Sequence, residues 1–199
     1  MEDWEPLRKW TDLFLFDGLS DYGEGTDIIN MENAIDYNLF NLLICGGDNI
    51  MKNIYFHAVY QGDGSYRIVK IPWDLNMTWG NSWVDDIDRN FNCFQDKNFD
   101  SLKGWTCDVE ALYQLNAEEI SGLLSERWWE LRENIITKES LSNIVETQYS
   151  YLHDSGAYVR NYMWWPPKGE YWQDDYIYKY IDKRLEFLDN YIGQLGNEA

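Results

Sequence analysis

The sequence predicts a mainly helical α+β domain with one embedded β-hairpin. Three observations carry this. Several segments repeat apolar residues at helical spacing, one short segment alternates at strand spacing around a glycine-rich turn, and 199 residues suit a single domain. Residues 4–16 read as a helix, with Pro6 in the first turn and Leu7, Trp10 and Phe14 on one face. Asn30 caps a stronger helix to Ile44, in which Met31, Ala34, Ile35, Leu39, Leu42 and Leu43 share the apolar face. Gly46-Gly47 is expected to stop it by a left-handed exit. The period then changes to two. Ile54, Phe56, Ala58 and Tyr60 alternate with Tyr55, His57 and Val59, residues 61–65 turn, and Tyr66 to Ile71 returns until Pro72 ends the hydrogen bonding. Residues 76–108 read as one long irregular stretch. Asn116 with Glu119 starts a helix carrying Ile120, Leu124, Trp128 and Leu131. Thr137 caps another, carrying Leu141, Ile144, Val145, Tyr149 and Leu152. Trp164-Trp165-Pro166-Pro167 breaks the chain, and a last helix runs from about Asp174 to Ile192, with Gly193 ending it.

Composition excludes several classes of function. The net charge of −19 repels phosphate backbones and anionic membranes, so nucleic-acid binding is not expected, whereas metal ions and cationic partners are favoured. No apolar run approaches the ~20 residues of a membrane span. Met1-Glu2-Asp3-Trp4 lacks the basic and apolar regions of a signal peptide. Three cysteines, Cys45, Cys93 and Cys107, make no disulfide framework, and with two histidines they make a zinc site improbable. Eleven Trp and fifteen Tyr read first as packing, and second as a surface that stacks sugars or peptides.

The hairpin makes a geometric prediction about chemistry. With the turn centred on Asp63, paired residues have numbers summing to about 126, which sets Asn53 opposite Trp73, beside Asp74. Asp48 lies on the glycine loop five residues before Asn53. Asp48, Asn53 and Asp74 thus gather at one hairpin mouth. Two like charges ~4 Å apart cost about 4 kcal/mol at an effective dielectric near 20, which a divalent cation offsets. Magnesium favours one or two protein oxygens with phosphates and water. Each residue taken alone reads first as ordinary turn chemistry, and only the joint spacing points to a site.

Protein kinases have the same order: a catalytic-loop Asp, an Asn five residues on, a hairpin, then a metal-binding Asp. Here the His-Arg before the first Asp is replaced by Gly46-Gly47, and the Phe-Gly after the last by Leu75-Asn76. The closer likeness lies in the stretches Asp36 to Asn41, Gly47-Asp48, Lys52-Asn53-Ile54-Tyr55, Ile71 to Asn76 with Trp79-Gly80, Arg127 to Arg132, and Arg184 to Leu188. Over most of residues 10–192 the chain resembles the spore-coat protein H (CotH) kinase-like family. The resemblance implies a protein-kinase-like C-terminal lobe as the fold, and ATP and Mg as cofactors. It also implies a Ser/Thr-containing protein of a spore coat or the extracellular space as the phosphoacceptor. By the same resemblance Asp48 is the catalytic base, Asn53 and Asp74 hold the metal, and Lys52 either contacts a phosphate or is a plain surface cation. Asn76 stands where the family often has a second Asp.

The kinase N-terminal lobe, with its phosphate-covering loop and lysine, has no counterpart. Gly23-Glu24-Gly25 lacks the third glycine and follows no strand. Residues 1–199 are therefore expected to form one domain, a C-lobe inactive by itself. The alternative is a non-catalytic surface or spore-coat binding module on the same scaffold. Other constellations weigh less. Asp86, Asp88, Asn90 and Asn92 alternate like a calcium loop, but Phe91 fills the glycine slot of an EF-hand, leaving only an irregular calcium site open. Trp164-Trp165 with Tyr171-Trp172 could form a sugar platform. His57 reads as a structural strand residue.

Overall fold

A computed structural model of the chain describes residues 4–80, 105–165 and 176–198. The calcium-like loop, Cys93, Pro166-Pro167, Tyr171-Trp172 and the expected helix start at Asp174 lie outside them.

Helix α1 (Glu5–Thr11) has Pro6 in its first turn, where the missing N–H costs nothing, and runs into a π-helical turn (Asp12–Phe16). Trp10 and Phe14 face inward, and the Trp10 ring lies 4.6 Å from that of Phe56. Helix α2 (Tyr22–Ile28) was not foreseen, because two glycines in seven residues hide any apolar period. Its Asp21 cap accepts from Glu24 N.

Helix α3 (Met31–Ile44) begins as predicted, with the Asn30 side chain accepting from Asn33 N at 2.9 Å. Its stop differs. Cys45, not a glycine, takes the left-handed conformation (φ 52°). Gly46 serves closeness instead, since a Cβ there would sit 2.8 Å from Asn41 Oδ1. A single helical turn, α4 (Asp48–Met51), leads into the hairpin of β1 (Ile54–Tyr60) and β2 (Tyr66–Pro72). Its register pairs Ile54 with Pro72 and Tyr60 with Tyr66, the predicted pairing with no slip. Pro72 does not end the pairing, because Trp73 N still donates to Asn53 O at 2.9 Å. The turn is held by Asp63, which accepts from Ser65 N and Oγ.

Within the stretch read as irregular, residues 107 and 108 open helix α5 (Cys107–Leu115), whose first turn buries the acid Asp108 beside Val109. Helix α6 (Ala117–Asn134) starts at the Asn116 cap, and α7 (Lys138–Asp154) at Thr137, which forms a reciprocal capping box with Ser140. Helix α8 (Ala157–Trp164) follows Gly156 and ends at Trp165. Helix α9 (Tyr176–Glu198) runs through Gly193 instead of stopping there. Ile192 is buried and Leu195 half-buried against the core, so packing holds the last turns helical. The core sets α3 among the hairpin, α5, α6 and α9, with Ile120, Leu124 and Trp128 against Ile181, Leu185 and Leu188. Among the described residues no helix is long and apolar enough to cross a membrane.

Candidate functional site

A helix leaves its last carbonyls without partners, and the end of α3 shows where those partners come from. Arg184 of α9 donates from Nε to Leu42 O at 2.7 Å, and its Nη2 donates to the same oxygen. The Tyr180 hydroxyl reaches Leu43 O, and Trp79 N donates to Ile44 O at 2.6 Å. Trp79 itself is left-handed (φ 55°), and Gly80 follows where a Cβ would collide with the Tyr176 hydroxyl. The point where the chain leaves α3 for Asp48 is thus clamped from two later segments.

The loop that follows is organised by a buried amide, Asn49. Its carbonyl accepts from the Tyr37 hydroxyl at 2.9 Å and from Asn41 Nδ2 at 3.4 Å. Burial pushes the Tyr37 phenol up to about 12, so the group stays protonated and donates. The Asn49 side chain donates to Asn53 O at 3.0 Å and to Trp73 O at 2.7 Å. One side chain therefore straps the Asp48 loop to both strands at the mouth of the hairpin. Sequence reasoning missed Asn49, although its place next to Asp48 was a signal.

The predicted residues sit around this strap. Asp48 opens α4, half-buried, with its carboxylate 3.1 Å from the Lys52 ammonium. Asn53 is half-buried and left-handed (φ 56°). Asp74 is exposed and also left-handed (φ 53°). Such backbone is uncommon outside glycine, is best tolerated by Asn and Asp, and tends to cluster at functional sites. The fold brings the backbone of Asn53 and of Trp73, the neighbour of Asp74, together, and pairs Asp48 with Lys52. Asn76 is exposed, and His57 faces solvent on the outer side of the hairpin.

Behind the hairpin lies a second unpredicted feature. Lys70 and Asp108 are both buried, with Lys70 Nζ 2.7 Å from each carboxylate oxygen. Thr106 Oγ1 accepts from Lys70 and donates to Asp108, and the Asn38 side chain pairs with Thr106 through both its N–H and its hydroxyl. Asn33 brackets the Lys70 backbone with two hydrogen bonds. Burial alone would raise the Asp108 carboxyl. The Lys70 ammonium, the Thr106 hydroxyl and Val109 N–H outweigh it and hold the carboxyl below its ordinary value. The signal in the sequence was a lysine in phase with Ile68 on the inward face of β2.

Residues 21–188 match the CotH kinase protein family. The chain belongs to that family. No curated protein and no solved structure matches it. The CotH-like stretches acquire a physical meaning from the contacts above. Tyr37 and Asn41 hold the Asp48 loop, Asn38 holds the Lys70 network, and Arg184 caps α3. Arg127 grips Asp36 through two parallel hydrogen bonds of 2.7 and 3.0 Å, joining α6 to α3.

As metal ligands, Asp48, Asn53 and Asp74 offer oxygen only, which suits a hard cation such as magnesium. Among the described residues no group of three or more His, Cys, Asp and Glu is arranged to hold a metal. A magnesium ion here would complete its shell with phosphate and water, as that ion ordinarily does.

Proposed function

We propose that this CotH chain is the substrate-orienting, metal-holding lobe of a kinase that transfers the γ-phosphoryl group of ATP to a Ser or Thr hydroxyl. The acceptor is a secreted or spore-coat protein. The observation that supports this best is the Asn49 strap, which ties Asn53 and the residue before Asp74 to the loop that carries Asp48. Kinase chemistry is largely positioning and electrostatics, so a rigid mount for these groups is the part a C-lobe must supply.

In this reading Asp48 accepts a hydrogen bond from the acceptor hydroxyl. It takes the proton as the new oxygen–phosphorus bond forms and the bond to ADP breaks. Asn53 and Asp74 would hold magnesium, which when bound offsets phosphate charge. Lys52 is mostly exposed, so exchanging Asp48 for a phosphate costs its ammonium little. A covering loop and its lysine belong to a separate lobe, and the 199-residue chain alone transfers phosphate poorly.

The test is calorimetry with Mg-ATP on the longest natural chain that contains these residues. Asp74→Ala should abolish binding. Asp48→Asn should keep binding and lower transfer from labelled ATP by at least about 100-fold. A wild type that ignores Mg-ATP would overturn the kinase reading. It would favour a non-catalytic binding module, for which the exposed Tyr151, Met163 and Trp164 of α7 and α8 are the supporting observation.

A further inference from the structure

Between α1, α4, the inner side of the hairpin and α5 lies a pocket of about 360 Å³, lined by Ile50 and Met51 of α4 but not by Asp48, Asn53 or Asp74. That volume falls in the range of small-molecule sites, roughly 300–1,000 Å³. Its walls are mostly apolar and aromatic, including Trp10, Ile50, Ile54, Phe56 and Trp105. Of the lining residues, only Lys70 and Glu110 carry charge, and Asp108 already neutralises Lys70.

Two lining residues hold polar atoms that the protein leaves unsatisfied. Trp10 is only 4% exposed, and its indole Nε1 has no acceptor. Glu110 Oε1 accepts from Gln114, but Oε2 is buried with no donor. A buried polar atom without a partner is destabilising, and more so where the group is charged, so both atoms favour an occupant that satisfies them. The occupant has to bring an apolar body, an acceptor for the indole and a donor for the carboxylate. A cation answers the carboxylate best, and the −19 charge of the chain enriches cations around it.

We propose that this pocket binds a small aromatic primary amine, with its ammonium on Glu110 and a polar ring substituent accepting from Trp10. The amine supplies partners at two sites the fold leaves unsatisfied, while its ring fills the apolar space lined by Ile50, Ile54 and Phe56. The proposal does not depend on ATP binding at the hairpin mouth, so each can fail without the other. Cys107 at the rim stays a neutral thiol, since burial pushes it up to about 11, and takes no part in the charge pairing.

Tyramine is the probe. It is titrated into nitrogen-15-labelled protein while the tryptophan indole resonances are followed, with Trp10 assigned by its loss in Trp10→Phe. The expected result is a saturable shift of that resonance, with a Kd tighter than about 1 mM. The isosteric Glu110→Gln should weaken binding by about tenfold, as should replacing tyramine with 4-ethylphenol, which lacks the amine. Ala111→Leu, which narrows the pocket, should weaken binding as well. No saturable shift in the wild type would overturn the proposal. So would equal affinity for tyramine and 4-ethylphenol, a comparison that needs no variant to fold.

Discussion

Helices α3 and α7 are built from similar sequence patterns and live in different surroundings. Both start at a polar cap and carry apolar residues at helical spacing. Yet α3 buries nine of its fourteen residues, and α7 buries none of its seventeen. Helix α3 is enclosed by the hairpin, α5, α6 and α9, whereas α7 lies against α9 and α8 with Leu141 and Val145 only half-covered. Its links to α9 are polar and exposed, Lys138 to Asp182 and Tyr178 to Glu146. The difference teaches that periodicity marks a helix but not how much of its stability is tertiary. Helix α3 depends on its neighbours, and α7 leans on its capping box and its own backbone.

The sharpest way to break this contrast is at the buried charge pair that backs α3. Asp108→Ala leaves Lys70 buried and unpaired, and should cost about 3–5 kcal/mol in urea unfolding. The pair also predicts an acid sensitivity. Because the Asp108 carboxyl lies below its ordinary value when folded, its contribution is complete above about pH 4 and is lost as pH falls through the folded value. Replacing both partners, Lys70→Met with Asp108→Leu, should flatten the acid-side fall of the melting temperature below about pH 4 relative to wild type. An unchanged acid slope would mean that other carboxylates carry it.

Next in size is a core truncation. Leu42→Ala in α3 removes a side chain that is 1% exposed and should cost about 2–5 kcal/mol, measured by the same unfolding. Its counterpart in α7, Ile144→Ala, removes a side chain that is 60% exposed and should stay within about 0.5 kcal/mol. Comparable losses would mean that something covers α7 in solution. Between them stands Thr137→Ala, which removes the capping box and should cost about 1 kcal/mol. Hydrogen exchange should show that loss as faster exchange in the first turn of α7, with α3 unchanged.

Much of this was legible in the chain. The caps at Asn30, Asn116 and Thr137 are local side-chain-to-backbone hydrogen bonds, so a few adjacent residues suffice to reveal them. The hairpin register followed from a turn at Asp63, because strand pairing counts residues outward from the turn. That count alone set Asn53 opposite Trp73. Stops were less legible. Gly46 and Gly193 read as terminators, yet one serves a close approach to Asn41 and the other lies inside a helix whose flanking residues pack on the core.

What the sequence determined by itself is everything that acts within about one helical turn or one strand pairing: cap, period, turn and register. Tertiary structure decided the rest. It chose Asn49 to strap the Asp48 loop, joined Lys70 to Asp108 across 38 residues, and brought Arg184 to Leu42 across 142. Those contacts satisfy polar groups that the fold itself buried. A local pattern could mark Lys70 as inward-facing but could not name its partner, because burial, and with it the need for a partner, exists only once distant elements have packed.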